Sequence, residues 1–119
     1  LAGIPDKPAW SDHLYELCNG KKDRFVKYLE IFLTQSEEQV GMWQEWIDKR
    51  QHEPLAFSIH KLIPHIRDFM DEKHGAMAVL LEQELRQGWS DSHTENILIL
   101  KKEILALHQE VSAILKALG

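Results

Sequence analysis

Cysteine is nearly absent: Cys18 is the only one in 119 residues, so no intrachain disulfide can form. That excludes a disulfide-stapled secreted scaffold and a cysteine-based structural zinc cluster, and it fits a reducing, cytoplasmic setting. Glycine (six) and proline (four) are too scarce for a fibrous or low-complexity chain. Apolar runs are short, the longest being Ala76 to Leu81 and Ile97 to Leu100, far below the length needed to cross a bilayer. The N-terminus lacks a basic region followed by an apolar one, so no secretory leader is read there, and no direct membrane contact is expected. Positive charge is also in deficit, with fourteen Lys and Arg against nineteen Asp and Glu, a net of −5. Such a balance opposes generic attraction to nucleic acid phosphates or anionic lipid. No segment alternates in the strand pattern, and Gly-rich phosphate loops and a Gly-x-Ser-x-Gly elbow are missing.

What remains is an ordinary globular composition, 44% hydrophobic and 28% charged, in a length that suits one domain. The opening stretch, LAGIPDKPAW, contains Pro and Gly and reads as a linker or N-terminal extension over residues 1–9, followed by a single domain over 10–119. Because the sequence starts at Leu1 without a methionine, an excised piece of a longer protein is expected.

Helical periodicity dominates. Ile97, Leu100, Ile104, Leu107, Val111, Ile114 and Leu118 recur at spacings of three and four, and Leu98, Leu105 and Leu115 widen the stripe beyond a two-stranded coiled-coil seam. Ser92-His93-Thr94-Glu95 fits a capping box for the start of this helix, with Ser90 as an alternative cap. Phe25, Leu29, Phe32, Val40, Trp43 and Ile47 predict one long helix from about Asp23 to about Lys49, weakened locally at Ser36 and Gly41. Asn19-Gly20 separates it from a short apolar helix, Trp10 to Cys18. Pro54 suits the first position of a third helix whose core line is Leu55, Ile59, Leu62, Ile66 and Phe69. After a break at Asp71 to Gly75, Ala76 to Gln87 forms a fourth, with Met77, Leu80, Leu81 and Leu85 inside and Gly88 as a left-handed residue past its end. Short connections make neighbours antiparallel. The expected fold is therefore all-α, an antiparallel up-and-down four-helix bundle with a short additional N-terminal helix.

A bundle can host a di-metal site, but that chemistry needs Glu-x-x-His pairs on facing helices, and the chain has none. Asp71-x-x-His74 is the nearest spacing, and His52-Glu53 lacks the second histidine of a zinc-protease helix. Cys18 reads as a small apolar residue, and Trp10, Trp43, Trp46 and Trp89 read as packing. Among seven histidines, His60 stands apart. At about 100° per residue it projects from the flank of its helix, away from the core line and reachable from solvent, beside Ala56 and Ile63 and one or two turns from Phe57, Pro64 and Arg67.

The segment Ser58-Ile59-His60-Lys61-Leu62-Ile63-Pro64-His65 resembles the active helix of histidine-containing phosphotransfer domains, in which His-x-Leu sits mid-helix in a four-helix bundle. The likeness extends over roughly residues 10 to 118 through the order of helices. Where that family commonly has His-x-Leu-Lys-Gly-Ser, this chain has Ile63, Pro64 and His65 after His60 and Leu62. The resemblance implies a relay: His60 accepts a phosphoryl group from a receiver-domain aspartyl phosphate and passes it to another receiver aspartate, with no autonomous kinase or hydrolase activity. Lys61 or Arg67 would support the charge in place of the missing lysine, and Phe57, Ile63 and Pro64 would form the docking patch. Pro64 should bend the helix, since it removes the amide that would bond to the His60 carbonyl. The expected partners are response-regulator receivers and a hybrid sensor histidine kinase, in the same chain or a similar signalling protein. No cofactor is expected in this domain, magnesium residing in the receiver, and the domain is expected to act as a monomer. The alternative is a degenerate, non-phosphorylated bundle that serves as a docking module.

Overall fold

In a computed structural model that describes residues 1–119, six helices account for 79% of the chain and no strand is present. They are α1 (Ala9–Leu17), α2 (Lys22–Val40), α3 (Trp43–Asp48), α4 (His52–Phe69), α5 (Glu72–Gln87) and α6 (His93–Leu118). The molecule is elongated, 47 × 23 × 21 Å. No helix is long and apolar enough to cross a membrane. Ahead of α1, Leu1 and Ile4 pack partly buried against the core and Lys7 pairs with Asp12.

Side-chain pairs define the helix directions. Arg67 lies over Gly75, His60 meets Glu82 and His52 meets Leu85, so α4 and α5 run antiparallel through the tight turn at Met70 and Asp71. Tyr28 with Asp68, Gln35 with His65, and Trp43 with Ser58 run α2 and α3 antiparallel to α4. Lys22 reaches the Leu118 carbonyl and Ser36 meets His108, which sets α6 against α2 in the opposite sense. Since α5 also packs on α6, the helices α2, α4, α5 and α6 close a ring around one core, and α1 crosses its end with Trp10 edge-on to Phe69. The repeating line from Ile97 to Ile114 is buried as its spacing demands, as are Phe25, Leu29 and Phe32 opposite it.

Several local expectations change. The helix expected over Asp23 to Lys49 breaks at Gly41 and Met42, where the Met42 amide bonds to the Gln39 carbonyl three residues back instead of four. This tighter turn, next to a residue of low helix propensity, swings Trp43 fully inside, where its indole N–H donates to the Ser58 hydroxyl at 2.8 Å. α4 starts at His52, so Pro54 occupies its third position, which is still free of an intrahelical N–H requirement. The helix continues through Pro64 to Phe69 as one element. α5 starts at Glu72 because Asp71 caps it: the Asp71 carboxylate accepts from the His74 amide at 2.9 Å and from its ring Nδ1 at 2.6 Å. The Asp71–His74 spacing is thus a capping pair. The buried face of α5 is Gly75, Ala78, Leu81 and Leu85, while Leu80 faces out at 55% exposure and Met77 is half-buried. Small residues sit inward because α5 lies so close against α4. Gly88 has φ 141° and ψ 174°, an extended positive-φ conformation distinct from the left-handed helical one. Ser92 holds the N-cap position of α6 but makes no side-chain cap; Ser90 Oγ accepts from the Ser92 amide at 3.3 Å, a local turn bond ahead of the helix.

Candidate functional site

His60 emerges midway along α4, on the flank that faces α5, with its side chain 61% exposed. The register of the α4–α5 hairpin brings Glu82 to it. An antiparallel hairpin turning at Asp71 pairs residues whose numbers sum to about 142, and His60 with Glu82 satisfies that sum. Nδ1 of His60 lies 2.8 Å from Glu82 Oε1, and Arg86 Nε donates to Glu82 Oε2 at 2.7 Å, one turn further along α5. The Glu82 side chain is only 12% exposed, so it is a largely enclosed anion with a partner on each oxygen. Burial works against its ionisation, but the hydrogen bonds from Arg86 and His60, with their charges, outweigh this and hold the carboxyl below the usual carboxylate range. In the neutral ring, donation of Nδ1–H to the carboxylate leaves the lone pair on Nε2, which has no protein partner.

The remaining candidates divide. Phe57, one turn before His60, is 55% exposed, and Lys61 Nζ lies 4.6 Å from its ring centre in a cation–π contact. Pro64, one turn after His60, is exposed. Ile63 is not available as a docking residue: it is buried at 7% and belongs to the core, because α4 is covered on both flanks and its apolar face is wider than the Leu55 to Phe69 line alone. Arg67 lies about 10 Å further along the helix axis. Its stem crosses Gly75, where a Cβ would stand 3.4 Å from Arg67 Cγ, and it lines a cleft of about 870 Å³ with Trp10, His13 and Met70. Of the cations, Arg86 is thus the one linked to His60, through Glu82, and neither Arg86 nor Glu82 stood out in the sequence. The signal was present in the hairpin arithmetic and in the Glu82–Arg86 spacing of four, the helical ion-pair spacing.

His52, His65, His74, His93 and His108 are engaged structurally, and His13 is exposed on α1. His65 is buried, its Nε2 hydrogen-bonded to Gln35, and burial pushes its pKa down. His108 contacts Ser36, whose hydroxyl donates to the Phe32 carbonyl at 2.6 Å; this buried serine is a helix back-bond and not a nucleophile. His52 bonds to the Leu85 carbonyl and His93 pairs with Glu84. Cys18 is half-buried beside the α1–α2 turn, and burial raises its thiol above the ordinary value. No group of three or more His, Cys, Asp or Glu side chains converges in a form that would hold a metal.

No family model, no curated protein and no solved structure matches the chain.

Proposed function

We propose that this protein is a phosphorelay intermediate whose fold is an antiparallel up-and-down four-helix bundle of α2, α4, α5 and α6, with α1 as the short additional N-terminal helix. His60 accepts a phosphoryl group from the aspartyl phosphate of a receiver domain and passes it to another receiver aspartate. The observation that carries this reading is the exposed His60 ring on the outer flank of a rigid helix, held at one nitrogen and open at the other.

Phosphoryl transfer asks for positioning and for neutralisation of charge on the moving group. A neutral imidazole nitrogen is a competent nucleophile near pH 7. The receiver would bring magnesium and a lysine, while exposed Phe57 and Pro64 on either side of His60 supply apolar contact area and Arg86, linked to His60 through Glu82, supplies positive charge. A sensor kinase in the same or an associated chain is the natural source of the phosphoryl group.

The test is to mix the protein with magnesium-loaded, phosphorylated receiver domains and follow intact mass. One added phosphoryl group, labile in acid and absent from His60→Gln, is expected. If no receiver labels the protein where an established phosphotransfer domain is labelled, the docking-module reading replaces this one. That second reading is favoured by one observation, Lys61 being engaged on Phe57 while position 63, the usual lysine, is a buried isoleucine.

A further inference from the structure

Resting on the relay reading, we infer that Glu82 is a positioning residue that directs phosphorylation to Nε2 of His60 and keeps the proton on Nδ1 throughout the transfer. Free histidine favours the tautomer protonated at Nε2, whose lone pair is on Nδ1. Here Nδ1 is 2.8 Å from a carboxylate oxygen, which accepts and cannot donate, so the ring is held in the opposite tautomer. Arg86 binds the second oxygen at 2.7 Å, which keeps Glu82 ionised and aimed.

The bookkeeping of the step follows from this tautomer. The Nε2 lone pair attacks phosphorus; the N–P bond forms, the bond from phosphorus to the aspartyl oxygen breaks, and the receiver carboxylate leaves with the electron pair. No proton moves. The ring retains Nδ1–H and becomes a phosphoimidazolium whose positive charge faces Glu82. In onward transfer the N–P bond breaks and the ring leaves as neutral imidazole. Had the proton been lost from Nδ1, the leaving group would be imidazolate, a far poorer one. Attack through Nδ1 would instead place phosphoryl oxygens against the Glu82 carboxylate, an uncompensated repulsion.

Charged groups that face the ring are few. From α5 they are Glu82 and Arg86, and on α4 itself Lys61 is adjacent and Arg67 two turns on. Helices α1, α2 and α3 meet α4 elsewhere, at Phe69, at His65 and Asp68, and at Ser58. Glu82 is thus the one carboxylate in contact with the ring.

The experiment uses two variants, Glu82→Gln, which keeps shape and removes charge, and Glu82→Ala, with helicity and melting temperature confirming that each folds. Long-range nitrogen–proton NMR of the unphosphorylated protein reads the His60 tautomer without any receiver. Phosphoramidate, a small phosphoryl donor, then labels the protein, and the phosphohistidine isomer at His60 is read by phosphorus-coupled NMR against His60→Gln. The wild-type ring is expected to be protonated at Nδ1 and phosphorylated at Nε2. Glu82→Ala should lose that tautomer preference and Glu82→Gln, whose amide can accept or donate, should weaken it, and in both the alkaline limb of onward transfer to a receiver should move to lower pH. At the alkaline end, transfer should fall about tenfold, the worth of one hydrogen bond to a charged group. An Nε2–H tautomer in the wild-type protein, or an unchanged tautomer and pH profile in both variants, overturns the role of Glu82. The expected tautomer together with a complete failure of receiver labelling sinks the relay reading and leaves the Glu82 pairing intact.

Discussion

Removing the Ser58 hydroxyl should destabilise the protein through Trp43. Both residues are fully buried, and the Trp43 indole N–H has Ser58 Oγ, at 2.8 Å, as its acceptor. Ser58→Ala leaves that N–H enclosed without a partner, a loss of about 1–3 kcal/mol. Trp43→Phe leaves the serine instead, but a buried helical serine can bond back to a carbonyl one turn earlier, so its cost is mainly lost ring volume, about 1–3 kcal/mol. The double variant removes donor and acceptor together. A double-mutant cycle should therefore show a coupling of about 1 kcal/mol, with the double variant more stable than the sum of the single losses. Urea unfolding followed by far-ultraviolet circular dichroism measures this, with the slope m unchanged across the set. Ser58 and His60 lie on opposite flanks of α4, so phosphoryl labelling of the folded variants should not change. A coupling within about 0.3 kcal/mol of zero would refute the argument that this bond anchors the break after Gly41.

Three further outcomes are expected. Ile63→Ala should lower stability by about 2–5 kcal/mol because the side chain is core, whereas His60→Gln should shift it by less than about 0.5 kcal/mol; equal small effects in denaturant melts would contradict the burial of Ile63. His65 and His108 both have pKa values lowered by burial, against raising influences from Asp68 and Glu37, so the folded state disfavours their protonation. Their stabilising contribution is complete above the ordinary histidine value of about 6.5 and declines as pH falls from there toward their folded values; His65→Leu should flatten that decline in thermal melts, and an unchanged pH slope would count against it. Gly88→Ala should cost about 1–3 kcal/mol, since φ of 141° is tolerated by glycine and strained for any residue with a Cβ, and a neutral substitution would show that the turn relaxes.

Much of this molecule is local in origin. The lines Leu55 to Phe69 and Ile97 to Ile114 are buried because a three–four repeat of apolar side chains can only face one way on a helix, and His60 lies off the first line for the same reason. The all-helical class and the exposure of His60 were thus readable from spacing. Boundaries were less so: a cap at Asp71 adds four residues to α5 ahead of Ala76, and a single three-residue hydrogen bond at Met42 divides what periodicity joins. Both depend on which carbonyl or carboxylate an amide finds, a competition that hydrophobic spacing does not record.

Sequence by itself determined which faces are apolar, where the breakers fall and which histidine stands clear of the core line. Tertiary structure alone decided how deep each flank is buried and what stands opposite it. Ile63 sits beside the predicted line yet is covered, because close packing along α4 and α5 widens the buried strip, and Leu80 is apolar yet exposed, because Gly75 and Ala78 let the backbones approach and take the inner positions. Likewise Glu82 is distant from His60 in the chain and meets it only through the register of the hairpin, with Arg86 a turn away to hold its second oxygen. Periodicity is a property of one helix, whereas burial and charge pairing belong to two helices at a given register, and that register is set by the turn and the packing between them.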